Sequence, residues 1–116
     1  MRGRLIVARV SPEGPAARAG LKSGDIVIGV GGEEVNTLAD LSCWWLDQIL
    51  PKIPMDIVFG WEDICGKAGP LVSPKTFDEH IAQGYAKVSA KAKKYGITLY
   101  GIDTDGDIDL LCGHRL

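Results

Sequence analysis

A chain of 116 residues that is 46% hydrophobic, 24% charged and 7% aromatic has the length and composition of a compact globular unit, which excludes a disordered tail and a fibrous repeat. Thirteen Lys and Arg against fifteen Asp and Glu leave a net charge of −2, without the basic surplus that recruits nucleic acid. No apolar run approaches the ~18 residues of a membrane-spanning helix, so neither nucleic acid nor a membrane is expected as a partner.

Residues 4–10 (RLIVARV) are rich in β-branched side chains and run into the breaker cluster Ser11-Pro12-Glu13-Gly14-Pro15, which predicts a strand and then a turn. Met1-Arg2-Gly3-Arg4 leads into this strand with no signal-peptide cleavage pattern. Three widely spaced cysteines (Cys43, Cys65 and Cys112) lack a CxxC pair, so reduced thiols and a cytoplasmic location are expected. Pro15 suits the first position of a short helical turn over Ala16 to Ala19, with Gly20 as its stop. Residues 26–30 predict a second strand closed by Gly31-Gly32, and Val35 a brief third.

Thr37 can cap a helix, and Asp40 three residues on completes a capping-box pattern with Asp in place of Glu. Leu38, Leu41, Trp45 and Ile49 then follow at helical spacing and share a face, and Pro51 and Pro54 end the element. Residues 55–61 (MDIVFGW) are nearly continuously apolar, as in a strand covered on both faces. The segment Cys65 to Pro70 is small, Gly-rich and loop-like, and is the weakest point for a boundary. Ser73-Pro74 predicts the start of a long helix. Phe77, Ile81, Tyr85, Val88, Ala92 and Tyr95 form its stripe, lysines crowd its last turns, and Gly96 stops it. A strand over residues 97–102 and the acidic run Asp103 to Asp109 follow. Strand, long helix, strand predicts a parallel βαβ unit.

The run Val10-Ser11-Pro12-Glu13-Gly14-Pro15-Ala16-Ala17-Arg18-Ala19-Gly20-Leu21-Lys22-Ser23-Gly24-Asp25-Ile26-Val27, continued by Gly32 and Val35, resembles a PDZ domain of the type attached to bacterial heat-shock serine proteases. The likeness covers residues 4–41. Such a domain opens with an aromatic-Φ-Gly-Φ segment that holds a peptide carboxylate; that position precedes this sequence, and Gly3 does not replace it. A second stretch, residues 46–111, with Trp61-Glu62-Asp63, Gly69-Pro70-Leu71-Val72-Ser73-Pro74 and Asp103-Thr104-Asp105-Gly106-Asp107, resembles part of the uroporphyrinogen decarboxylase and cobamide methyltransferase superfamily of (β/α)8 barrels. A closed barrel needs roughly 250 residues. The two likenesses together imply a fusion of family fragments, natural or engineered. The expected fold is α/β or α+β, with a PDZ-like first segment (residues 1–54) joined to a βαβ segment (residues 55–116) in one compact unit on a shared sheet. Residues 55–61 form its hinge strand, paired on both sides.

The first resemblance implies peptide binding by strand addition. The edge would be Leu5, Ile6 and Val7, running on to Arg9, and the pocket Leu38, Leu41, Ser42 and Trp45. The same residues also suit the core of a repacked domain. The second resemblance places Asp103 and Asp105 at a strand C-terminus, the catalytic face of such a barrel, and makes them the candidate catalytic residues. Asp107 and Asp109 continue the alternation, which suits either a hard cation or a solvated acidic turn opening a helix. Cys112 and His114 form a ligand pair with no second pair to match. His80 reads as an exposed helix residue. No metal site or cofactor is expected, and no G-x-S-x-G, GxGxxG or Walker pattern occurs. Trp44 and Trp45 point about 100° apart on a helix. With Trp45 toward the first half, Trp44 is left for the second half or another subunit.

Three functions follow. The chain is a non-enzymatic domain that binds a peptide or a protein C-terminus, a chimeric fold with no selected ligand, or a truncated decarboxylase- or methyltransferase-like enzyme that needs partner subunits. Exposed strand edges also predict a homodimer.

Overall fold

The computed structural model describes residues 4–62 and 64–112. Gly3, Asp63 and His114, together with the ligand pair that His114 would make with Cys112, lie outside the described residues. The elements run β1 (Leu5–Ile6), α1 (Pro15–Arg18), β2 (Ile26–Val27), β3 (Gly29–Val30), β4 (Glu33–Glu34), α2 (Leu38–Ile49), β5 (Ile57–Trp61), β6 (Cys65–Gly66), β7 (Gly69–Pro70), α3 (Pro74–Thr76), a π-helical turn (Phe77–Ile81), α4 (Ala82–Lys94), β8 (Leu99–Asp103) and α5 (Asp109–Cys112). The mixture of helices and small sheets is the α/β or α+β class expected.

Among the described residues the shared sheet is not formed, and the strands make four separate pairs: β1 with β2, β3 with β4, and β6 with β7, all antiparallel, and β5 with β8, parallel. Among the described residues β5 pairs on one side only. The physical reason lies in what precedes it. Helix α2 leads into the turn at Pro51 and Pro54, and it reaches the second half by packing on α4. The halves therefore meet helix to helix, and β1–β2 stays a separate two-residue ladder. Nor is β5 covered on both faces: Ile57, Phe59 and the neighbouring Leu99 are about half exposed. The sheet has only two strands, and its helix covers just one side.

Local chemistry explains the helices. Asp40 N–H donates to Thr37 Oγ1, and the Asp40 carboxylate accepts from Thr37 N–H and Asn36 N–H, so the capping box forms with Asp as its acid. Ser73 caps the long helix by accepting from Thr76 N–H, with Pro74 in the first turn. Substituting Ser73→Ala is expected to cost about 1 kcal/mol, read as a lowered urea midpoint with an unchanged slope. The helix then runs without a break from Pro74 to Lys94, apart from its π turn. It ends in a Schellman motif, in which Gly96 N–H donates to Lys93 O and Ile97 N–H to Ala92 O.

Two apolar clusters hold the molecule together. Leu50, Ala92 and Ile97 form one, with Leu46 and Val58 against it; Ile64, Cys65, Phe77, Ala82 and Leu111 form the other. Cys65 is buried at the centre of the second, and Cys65–Gly66 pairs with Gly69–Pro70 as a tight hairpin. Within the stretch read as a loop, Cys65 thus belongs to the core, while Lys67 and Ala68 at the hairpin turn are exposed. On α2 the buried residues are Cys43 and, at its C-cap, Leu50, with Leu46 partly buried. These face α4. The face containing Leu38 and Trp45 is turned away and stays more than half exposed. The tryptophan assignment is exchanged: a Cβ built on Gly31 would meet the Trp44 indole at 2.9 Å, so Trp44 covers the β3–β4 turn of the first half. Trp45 points into a cleft facing the second half.

Candidate functional site

Two ion pairs fix α2 on α4. Lys87 Nζ meets Asp40 Oδ1, and Lys91 Nζ lies 2.9 Å from Asp47 Oδ2, with Tyr95 Oη donating to Asp47 Oδ1 at 2.7 Å. The hydrogen bond from Lys87, with those from Asn36 and Thr37, holds the Asp40 carboxyl down at about 2. Lys91 first, then Tyr95, lowers Asp47. The Cys43 thiol, buried between the helices, is pushed up by burial.

This packing leaves a cleft of about 1050 Å³ between α2, the π turn with the start of α4, and β5. Leu38, Ser42 and Trp45 line it from α2, and Val58, Phe59 and Gly60 from β5. Tyr100, the β8 partner of Val58, lines it as well, so the cleft reaches across the β5–β8 pair. The π turn brings Glu79, His80 and Ile81 onto the far wall; such turns recur where a helix is adapted for function. His80 is exposed and sits 3.9 Å from Glu79.

At the C-terminal end of β5, Glu62 N–H donates to Asp103 O at 2.8 Å. Its side chain folds back so that Oε1 would lie 3.5 Å from a Cβ built on Gly60. Tyr85 also lines the cleft, edge-on to Phe77 at a ring separation of 6.0 Å and tilted against Tyr100 at 6.4 Å. Its Oη is buried without a hydrogen-bond partner among the described residues. Burial, reinforced by the nearby Glu62 carboxylate, pushes the phenol above its usual value. The site is therefore apolar along α2 and the strand, and carries the Glu62 carboxylate at the strand's C-terminal end.

The structure divides the residues expected to bind peptide. Leu38, Ser42 and Trp45 come together in the cleft, while Leu41 is half-buried outside it. Leu5 and Ile6 pair with Val27 and Ile26, and Val7 N–H donates to Asp25 O; all three lie outside the cleft. The strand facing α2 across it is β5, whose role no spacing argument could have supplied, because only the helix packing brings it there.

Asp103 ends β8, and Asp105 follows it, exposed. The acidic run is docked by its neutral members. Thr104 Oγ1 accepts from Cys65 N–H at 3.1 Å, and Gly106 lies so close to Gly66 O that a Cβ there would sit 2.2 Å away. Asp107 Oδ1 accepts from Asp109 N–H at the start of α5. Among the described residues no group of three His, Cys, Asp or Glu side chains is placed to hold a metal, and no helix is long and apolar enough to cross a membrane.

Comparison with known proteins bears on the first half. The family model described as "PDZ domain" matches residues 6–44, a span that ends within α2. The chain is also similar to a probable periplasmic serine endoprotease DegP-like of Bartonella henselae, 53% identical over 30 residues. That alignment covers 26% of this chain and 6% of the relative, so the chain spans only a small part of the relative's length. No solved structure matches the chain. These findings support the PDZ part of the resemblance.

Proposed function

We propose that this chain is a non-enzymatic interaction domain that binds an extended peptide or protein segment against α2. The observation that carries this reading is the open apolar face of that helix. Leu38 and Trp45 are 67% and 53% exposed and face a cleft, on a helix whose first half falls within the PDZ match. Exposed aromatic and aliphatic side chains lining a concave site are the usual anchors of a peptide.

The test is an amide NMR titration of the full chain with hydrophobic C-terminal peptides. Shifts along residues 38–45 that vanish in Leu38→Glu, a substitution at an exposed position within the cleft, support the reading. A well-dispersed spectrum that ignores every peptide overturns it and leaves a chimeric fold with no selected ligand.

The enzymatic alternative draws on one observation, the placement of Asp103 at the C-terminal end of a parallel pair, where α/β folds gather ligands. It requires porphyrin or metal binding that is lost in Asp105→Asn. A cytoplasmic location is supported by three unpaired cysteines, although the similar endoprotease is named as periplasmic. Thiol labelling of the chain in intact cells distinguishes the two compartments.

A further inference from the structure

We infer that the exposed face of the β5–β8 pair is where a second copy of this chain docks, so that two copies stack sheet against sheet about a twofold axis. This contact does not depend on the proposed peptide binding.

The face follows from the register. Ile57 stands opposite Leu99 and Phe59 opposite Gly101, and alternation puts these four positions on one side of the pair. The other side is covered. Val58 packs with Leu50, Ala92 and Ile97, Ile102 packs against the second cluster, and Tyr100 meets Tyr85 of α4. On the first side Ile57 and Leu99 are 47% and 59% exposed. Phe59 leans over Gly101, its ring 3.0 Å from where a Cβ would stand, and is still half exposed. Parallel strands are found almost only with both faces covered. Helix α4 supplies one cover, and a partner supplies the other.

Size and charge choose that partner. The four positions carry no charge, and the approach to β5 adds Ile53 and Met55, both about half exposed. At roughly 200 Å² per large side chain, the five apolar residues expose on the order of 500 Å² in one copy. Two copies together reach about 1,000 Å², where specific interfaces begin. The two-residue β1 edge offers much less. A face without charge has nothing to select a foreign partner, whereas a twofold interface brings the same patch to both sides and so fits its own copy. An axis normal to the face runs the two strand pairs antiparallel. It sets the exposed Asp103 at the C-terminal end of each β8 away from its counterpart.

The experiment is sedimentation of the full chain across the micromolar range, with isotope-filtered NMR on a mixture of labelled and unlabelled copies. The expected result is a mass that rises from 12.5 kDa to twice that value, with contacts between copies among the methyl groups of Ile57 and Leu99. Leu99→Lys places a charge in the interface and is expected to weaken the dimer about tenfold or more. Its circular dichroism spectrum should not change, because the position is exposed in a single copy. Ile28→Lys, at a still more exposed apolar position in the first half, is expected to leave the mass as it is. A single 12.5 kDa species at every concentration, or contacts between copies confined to residues 5–7 or 38–45, overturns the inference. So does a folded Leu99→Lys chain that dimerises like the parent. A chain that stays monomeric and shifts the Ile57 and Leu99 methyls only when a hydrophobic peptide is added gives the face to a peptide, which also overturns it. The filtered contacts in the parent decide the matter even if Leu99→Lys does not fold.

Discussion

Gly106→Ala is expected to lose about 2–4 kcal/mol of stability, which is large against a typical total of about 5–15 kcal/mol. The backbone of the acidic run presses on the β6–β7 hairpin so closely that a single methyl group would lie 2.2 Å from Gly66 O and 2.9 Å from Cys65 Cβ. Neither neighbour is a flexible side-chain tip. The loop or the hairpin must move, and moving either opens the cluster that Cys65 and Leu111 share. The hydrogen bond from Cys65 N–H to Thr104 Oγ1 would be stretched by the same displacement. Urea unfolding followed by tryptophan fluorescence gives the loss directly. Asp105→Asn supplies the comparison: its exposed side chain has no packed neighbour to displace, so its midpoint should stay within about 0.5 kcal/mol of the parent. Equal midpoints for the parent and Gly106→Ala would show that the loop does not dock as described.

Asp40→Ala is expected to cost about 2 kcal/mol, because one carboxylate serves two structures. It completes the cap of α2 by accepting from Asn36 and Thr37 N–H, worth about 1 kcal/mol, and it pairs with Lys87 across the helix interface. Its pH signature follows from the lowered carboxyl. A folded value near 2, against an ordinary 3.8, means that the unfolded chain takes up the proton first as acid is added. The stabilisation is therefore complete above pH ~4 and is lost as the pH falls toward 2. Asp47, lowered by Lys91 and Tyr95, adds to the loss in the same direction. The parent should show a falling thermal midpoint over this window, and Asp40→Ala a distinctly shallower fall. Parallel curves would remove Asp40 from the interface. The buried Tyr85 phenol acts at the other extreme: its raised value makes stability complete below pH ~10 and lost as the pH rises past it.

These two sites show why much of the local structure was legible in the residues. Caps, stops and breakers act over three or four positions, so Thr37 with Asp40, Ser73 with Pro74, and Gly96 could be read where they stand. The parallel βαβ unit was legible too, because a long helix between two apolar strands has few ways to close. The PDZ likeness was carried by a contiguous run and needed no tertiary information.

The remaining features depended on which surfaces meet. Leu38, Leu41, Trp45 and Ile49 form a sound helical stripe, yet α2 packs through Cys43, Leu46 and Leu50. The reason is that small Cys43 lets α4 approach, and Asp40 and Asp47 lie in register with Lys87 and Lys91. That choice turned Leu38 and Trp45 outward into the cleft and set β5, not β1, opposite them. It also left the strands as four separate pairs. Sequence determined the elements and their ends because hydrogen bonding and backbone sterics are local. The cleft and the place of Glu62 at its end were decided by helix packing, in which residues more than forty positions apart select one another by size and charge.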